Sequence, residues 1–142
     1  MRRLQAFLML FLALVIQSTQ AEEPKPGLWE FSVITSIVGT EQQFNPYHHS
    51  QCLSPEDVKN PERLMADTGS SDCSYGDKKF QGNRFSFTVS CNGALPMSGS
   101  GNVTYGSDQL EGEVDITADL QGIEVVTHSQ VSGVRTGDCA KN

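Results

Sequence analysis

The sequence has few basic residues and lacks a second long apolar run. Of its 142 residues, 10 are Lys or Arg and 17 are Asp or Glu. Nucleic-acid binding draws most of its affinity from basic groups that displace counterions, so nucleic acid is not an expected partner. After the N-terminal apolar run, no stretch approaches the ~20 apolar residues that a membrane-spanning helix needs. We therefore expect no integral membrane segment in the mature chain.

Sequence patterns for metal binding and nucleophilic catalysis are also missing. Successive cysteines are separated by 20, 17 and 47 residues, without the C-x-x-C pair common in zinc sites. The Ser-Gly-Ser-Gly stretch at 98–101 lacks the G-x-S-x-G spacing of a nucleophile elbow, and it does not open a helix that could bind phosphate. We predict no catalytic residue, no metal ligand and no cofactor, and hence no enzyme activity.

The histidines and one row of acidic residues are better explained as solvent-facing than as metal ligands. His48 and His49 are adjacent in an extended segment, so their rings point to opposite sides, and His128 lies on a distant strand. The acidic row follows one strand and consists of Glu111, Glu113, Asp115 and Asp119. Calcium ligands usually come from a tightly folded loop, so this extended row predicts a solvated face.

The N-terminus has the three-part pattern of an export signal. Met1-Arg2-Arg3 is basic, residues 4–16 are almost wholly apolar, and the segment ends in small residues before Ala21. We expect cleavage near Ala21, which leaves a single domain at 22–142 with 8 basic and 17 acidic residues, a formal charge of −9. Because Glu22 follows the leader, and not a cysteine, no lipid attachment is predicted. The mature protein is expected in the periplasm or secreted, where disulfides persist.

Period-two alternation predicts a mainly β fold. Apolar residues occupy alternate positions from Trp29 to Ile37, in 85–91 and in 110–120, which is typical of strands with one buried face. A polar loop is expected from Gly39 to about Gln51. Later strands are joined by short turns, and such connections favour an antiparallel meander, because parallel strands need long crossovers.

Glycines inside the predicted strands suggest where the sheet bends. They are Gly99, Gly101, Gly112 and Gly133. We therefore predict a strongly curved antiparallel sheet or a partly closed barrel.

One segment, at about 54–67, carries helix signals. Ser54-Pro55-Glu56-Asp57 resembles a capping box with proline at the first helical position. Asn60-Pro61 ends that turn, and Asn60 can cap a second short helix through Leu64 and Met65. The prediction is one or two brief helices in a fold that is otherwise β.

A hairpin is predicted between residues 73 and 91, with Gly82-Asn83 as its two-residue turn. Matching the apolar faces of its two arms requires one extra residue in the first arm. We therefore predict a β-bulge between Gly76 and Lys79.

The four cysteines are expected to form two disulfides, with a metal site as the alternative. Four cysteines allow three pairings, and their spacing selects none of them. If Cys73 and Cys91 face each other near the open end of the hairpin, they can bond, which leaves Cys52 for Cys139.

Several short sequence landmarks occur in a fixed order. They are Lys25-Pro26-Gly27-Leu28-Trp29-Glu30, Gln51-Cys52-Leu53-Ser54-Pro55-Glu56-Asp57, Cys91 closing a phenylalanine-rich strand, Gly101-Asn102-Val103-Thr104-Tyr105, and Gly137-Asp138-Cys139. Over residues 24–139 the set resembles the bacterial exported family DUF3617, a domain of unknown function. The resemblance implies a periplasmic envelope protein with four structural cysteines and carries over no catalytic residue. The Tyr47-His48-His49 stretch departs from the recognised pattern.

Three functions remain open at this point. The first is a non-catalytic envelope module that binds another protein or stabilises a surface. The second is a carrier of a small apolar ligand, because Trp29, Phe31, Phe85 and Phe87 could line a pocket, although they could also simply fill the core. The third is a hydrolase with an unrecognised site, which would need titratable groups converging in a cleft. An apolar cavity of ~300 Å³ or more would favour the carrier.

Overall fold

In a computed structural model, the chain forms a single sheet of seven strands, and the structure describes residues 23–60 and 72–140. The strands are β1 (Gly27–Ile37), β2 (Tyr47–Leu53), β3 (Cys73–Gln81), β4 (Arg84–Cys91), β5 (Met97–Tyr105), β6 (Gln109–Leu120) and β7 (Ile123–Gly137). Their spatial order is β2-β1-β7-β6-β5-β4-β3, and every neighbouring pair is antiparallel. The predicted antiparallel meander is confirmed for β3 to β7, and the β1–β2 hairpin extends it beyond β7.

The sheet is open, so the alternative of a partly closed barrel is wrong. Closure would require β2 to pair with β3, but these strands are the two edges of the sheet, and each has a single neighbour. The β3 edge is irregular, because Asp77 has a positive φ of 45° and the ladder to β4 shifts register there. Bulges and edge lysines, here Lys78 and Lys79, are common features of strands that do not accept a further partner.

The predicted short helices at 54–67 are not seen in the described residues. The capping-box hydrogen bonds do form: Ser54 Oγ accepts from the Asp57 amide at 3.2 Å, and the Asp57 carboxylate accepts from the Ser54 amide at 2.9 Å. They close a turn and no helix, because a few residues before Asn60-Pro61 are too few to offset the cost of helix nucleation. Residues 61–67 of this prediction, and the predicted leader at 1–21, lie outside the described residues.

The polar loop expected between Gly39 and Gln51 is wrong in its second half, which forms strand β2. This strand pairs with β1 in a regular register from Gly27 opposite Leu53 to Val33 opposite Tyr47. The inward-facing positions of β2 include a histidine and a glutamine, so its alternation is not visible as apolar against polar. The segment is held extended by its pairing with the apolar β1, which the composition of β2 does not reveal.

The predicted hairpin of β3 and β4 is confirmed, together with its bulge. Gln81 pairs with Arg84 across the two-residue turn, and the register shifts between Gly76 and Lys79. The shift brings Tyr75 opposite Val89 on the buried side.

Two disulfides fasten the two edges of the sheet. Cys73 is bonded to Cys91, its direct partner across the β3–β4 ladder. Cys52 of edge strand β2 is bonded to Cys139, just beyond the end of β7. These are the two bonds expected if Cys73 and Cys91 face each other in the hairpin. All four cysteines are in disulfides.

The buried side chains lie on one face of the sheet. Trp29, Phe85 and Leu53 are the largest of those that are fully buried. The described residues contain no buried polar or charged residue. One face of the sheet therefore supplies the apolar interior, and the other face is solvated.

Candidate functional site

An apolar cavity of about 410 Å³ lies on the buried face of the sheet. Every one of the seven strands contributes side chains to its wall, from Leu53 on one edge strand to Tyr75 on the other. A flat sheet could not bring both edges to one cavity, so the sheet curves around it. We call this side the concave face.

Aromatic rings form much of the cavity wall. Trp29 and Phe31 lie parallel with centroids 6.2 Å apart, and Phe85 and Phe87 do so at 5.5 Å. These four residues are the ones for which the sequence suggested a pocket, and the structure brings all of them to the same cavity. Tyr75 meets Phe87 edge-on at 5.8 Å. The wall presents large, rigid apolar surfaces, which bind ligands at a small cost in conformational entropy.

Trp29 is held in the cavity wall by a hydrogen bond from its indole nitrogen. Its indole Nε1 donates a hydrogen bond to the carbonyl of Lys25 at 3.0 Å. Lys25 is itself tied to the β5–β6 turn, because its amide donates to the carbonyl of Ser107 and its Nζ lies 2.9 Å from Asp108 Oδ2. The lead-in before β1 therefore orients the indole against the cavity.

Two strand glycines make room for the rings. A Cβ at Gly101 would lie 2.6 Å from Phe87 Cζ, and a Cβ at Gly133 would lie 2.9 Å from the Phe31 ring. Both distances are below van der Waals contact. The rings can therefore lie across neighbouring strands only because these positions have no side chain.

A few polar groups interrupt the apolar wall. His49 stacks on Phe31 at 5.0 Å, and its buried Nδ1 has no hydrogen-bond partner among the described residues. Burial raises the pKa of the Tyr105 hydroxyl, so this group stays protonated and able to donate. Ser129 Oγ lies 2.8 Å from Thr35 Oγ1. A mainly apolar wall with a few polar groups is typical of small-molecule sites.

Sequence reasoning missed several residues of the cavity. They include His49, Leu53, Met97, Tyr105, Leu110 and Val131. Strand parity could have found Leu110 and Val131, which alternate in phase with residues named in the sequence. His49 could not be found in this way, because its segment was expected to be a loop, and Leu53 lies between that loop and the expected helix at Ser54.

The opposite face of the sheet is polar and carries a groove of about 640 Å³. Glu111 and Glu113 of the acidic row line it, and both are exposed. Asp115 lies 2.7 Å from His128 Nδ1 across the β6–β7 ladder. No group of three or more potential metal ligands was found in residues 23–60 and 72–140.

The chain matches the sequence model of a known family. The sequence model of the family DUF3617, described as a protein of unknown function, matches residues 24–139. No curated protein and no solved structure shows significant similarity to the chain. In the part of the chain that the structure describes, no helix is both long and apolar enough to cross a membrane. Because the match spans the whole of the observed sheet, this protein belongs to the DUF3617 family.

Proposed function

We propose that this protein is an exported, non-catalytic carrier that binds a small apolar ligand on its concave face. The observation that carries the proposal is the cavity of about 410 Å³, which combines a mainly apolar wall with a volume inside the ~300–1,000 Å³ range of ligand sites, whereas the larger groove on the opposite face is polar.

The chemistry of the wall defines the ligand class. Phenylalanine, tryptophan and aliphatic side chains make up most of the lining, and the described lining residues include no Lys, Arg, Asp or Glu. A charged ligand would lose its hydration without gaining an ion pair, at a large cost in free energy. The expected ligand is therefore uncharged and mostly hydrocarbon, with at most a hydroxyl or carbonyl group near Tyr105 or His49.

The two disulfides support the export part of the proposal. Disulfides form and persist in oxidising compartments, and they are rare in the cytosol. Cleavage near Ala21 would release the sheet domain, which begins at Gly27. An acidic, soluble carrier in the periplasm is consistent with the formal charge of the mature chain.

Trp29 allows a direct binding experiment, because it is the single tryptophan of the chain and lies in the cavity wall. We would titrate the disulfide-bonded mature protein with N-phenyl-1-naphthylamine, a neutral apolar fluorophore, and follow energy transfer from Trp29. We expect saturable transfer with micromolar affinity. The double variant Val114→Phe/Ile116→Phe, which places two rings in the cavity, should bind at least tenfold more weakly.

A matched control uses the same strand and the same number of rings. In Glu113→Phe/Thr117→Phe the new rings lie on the opposite face, because successive side chains of a strand alternate. This variant should bind the fluorophore as the parent protein does, and circular dichroism checks that both variants fold. Equal affinity in all three proteins, or no saturable transfer at all, would refute the carrier proposal.

Native mass spectrometry of protein recovered from the periplasm of a bacterium that expresses it gives an independent readout. A retained apolar molecule would add its mass to the folded protein and leave on denaturation. The same spectrum reports the mass of the cleaved chain and the loss of four hydrogen atoms in forming two disulfides.

A further inference from the structure

Most of the large apolar side chains that are exposed on the described surface cluster at one end of the sheet. Five of them occupy three neighbouring connections, and we call this set the apolar rim: Val38 and Phe44 between β1 and β2, Leu95 between β4 and β5, and Leu120 and Ile123 at the β6–β7 turn. The Val38 amide donates to the carbonyl of Val126 at 2.8 Å, which places the β1–β2 connection beside the start of β7.

The apolar rim continues the lining of the cavity. Ile116 lines the cavity, and Leu120 lies four residues further along β6 on the same face. Leu120 pairs with Ile123, and Val125 pairs with Ala118, so the concave face stays apolar up to the rim. An uncharged ligand could pass along this path without crossing a charged surface.

Charge is distributed unevenly between the two ends of the sheet. Glu41, Asp119 and Glu124 lie in or next to the connections that form the apolar rim. The other end carries charges of both signs: its basic residues are Lys25, Lys59, Arg84 and Arg135, and its acidic residues include Asp108 and Asp138, which pair with Lys25 and Arg135. The apolar rim is therefore flanked by acids alone among the described residues.

We propose that the protein contacts a zwitterionic lipid bilayer, which has no net charge, through the apolar rim and exchanges its ligand there. This inference rests on the proposed carrier function. An apolar ligand resides in lipid and not in water, so the contact has to be continuous with the cavity. The flanking acids repel an anionic bilayer, and they also repel a second copy of the same rim. A zwitterionic lipid surface satisfies both conditions.

The experiment measures sedimentation of the mature protein with lipid vesicles at low salt. We expect binding to pure phosphatidylcholine vesicles, and weaker binding when one third of the lipid is phosphatidylglycerol. Ile123→Ser should weaken binding to phosphatidylcholine by about five- to tenfold, because Ile123 is 67 % exposed and its side chain would enter the bilayer. Val134→Ser is the matched control, since Val134 is a β-branched residue 54 % exposed on the same strand, near its other end.

Binding of N-phenyl-1-naphthylamine to Ile123→Ser separates this proposal from the carrier function. We expect its affinity without vesicles to equal that of the parent protein, because Ile123 lies outside the cavity wall. The proposal is overturned if the protein does not bind phosphatidylcholine, if phosphatidylglycerol strengthens binding, or if Val134→Ser weakens binding as much as Ile123→Ser. If vesicle binding is absent while the fluorophore still binds, the carrier function stands and a protein partner becomes the occupant to test.

Discussion

Removal of the Cys52–Cys139 disulfide should destabilise the protein more than removal of the Cys73–Cys91 disulfide. The two cysteines are 87 residues apart in sequence, and the loop that their bond closes contains β3 to β7, five of the seven strands. By the loop-entropy relation, such a cross-link lowers the conformational entropy of the unfolded chain and so raises its free energy by about 4.6 kcal/mol at 25 °C. For the Cys73–Cys91 bond, with a sequence separation of 18, the same relation gives a stabilisation of about 3.2 kcal/mol.

The native structure should change little when this bond is lost. The register already places Leu28 opposite Cys52 on one side and opposite Gly137, two residues before Cys139, on the other, so strand pairing keeps both cysteines near β1. The effect is therefore expected in the unfolded state. It follows that Cys52→Ala, Cys139→Ala and the double variant should lose the same free energy of unfolding, since each removes the same cross-link once.

Urea unfolding followed by Trp29 fluorescence measures this loss. With a slope of about 1.5 kcal/mol/M, a loss of about 4.6 kcal/mol lowers the midpoint by about 3 M. A loss below about 2 kcal/mol in the double variant would refute the entropic explanation. Losses that add between the two single variants would refute it as well, because they would indicate native contacts of the separate side chains.

Two further predictions follow from the site and its support. Gly101→Val should destabilise the fold by about 1–3 kcal/mol, because a Cβ at this position would lie 2.6 Å from Phe87 Cζ. Ser100→Val places the same side chain on the other face of the sheet and should have little effect in the same urea assay. The hydrogen bond from Lys25 holds the pKa of Asp108 below its ordinary value of 3.8. The ionised carboxylate therefore stabilises the folded protein above that pH, and this stabilisation is lost as the pH falls through the lowered pKa. Asp108→Asn should therefore be less stable than the parent near neutral pH and equal to it in strong acid, and a difference constant across this range would contradict the assignment.

Much of the sheet could be predicted from local pattern. The alternation in β1, β4 and β6 identified the buried face, and the turn at Gly82-Asn83 placed the bulge before Lys79. These features depend on the period of a strand and on the geometry of a two-residue turn, both of which act over a few residues. The aromatic residues of the cavity were identified in the same way, because they share the inward parity.

The errors have a common physical origin. Strand β2 was missed because His49 and Gln51 occupy inward positions, and only its pairing with β1 makes the segment extended. The helix expected from Ser54 did not form in the described residues, although its capping bonds did, because a cap does not replace the packing that stabilises a short helix.

The amino-acid order alone determined which residues face inward, where the chain turns and which cysteines can meet across the β3–β4 hairpin, since each depends on near neighbours in the chain. Whether the inward face closes into a barrel, fills solidly or curves around an open space was decided only by the tertiary structure. These outcomes share one pattern of alternation. They differ in the distance between the two edge strands and in how closely rings such as Phe31 and Phe87 pack on strands distant in sequence. Neither the edge distance nor the ring packing can be predicted from a local sequence pattern.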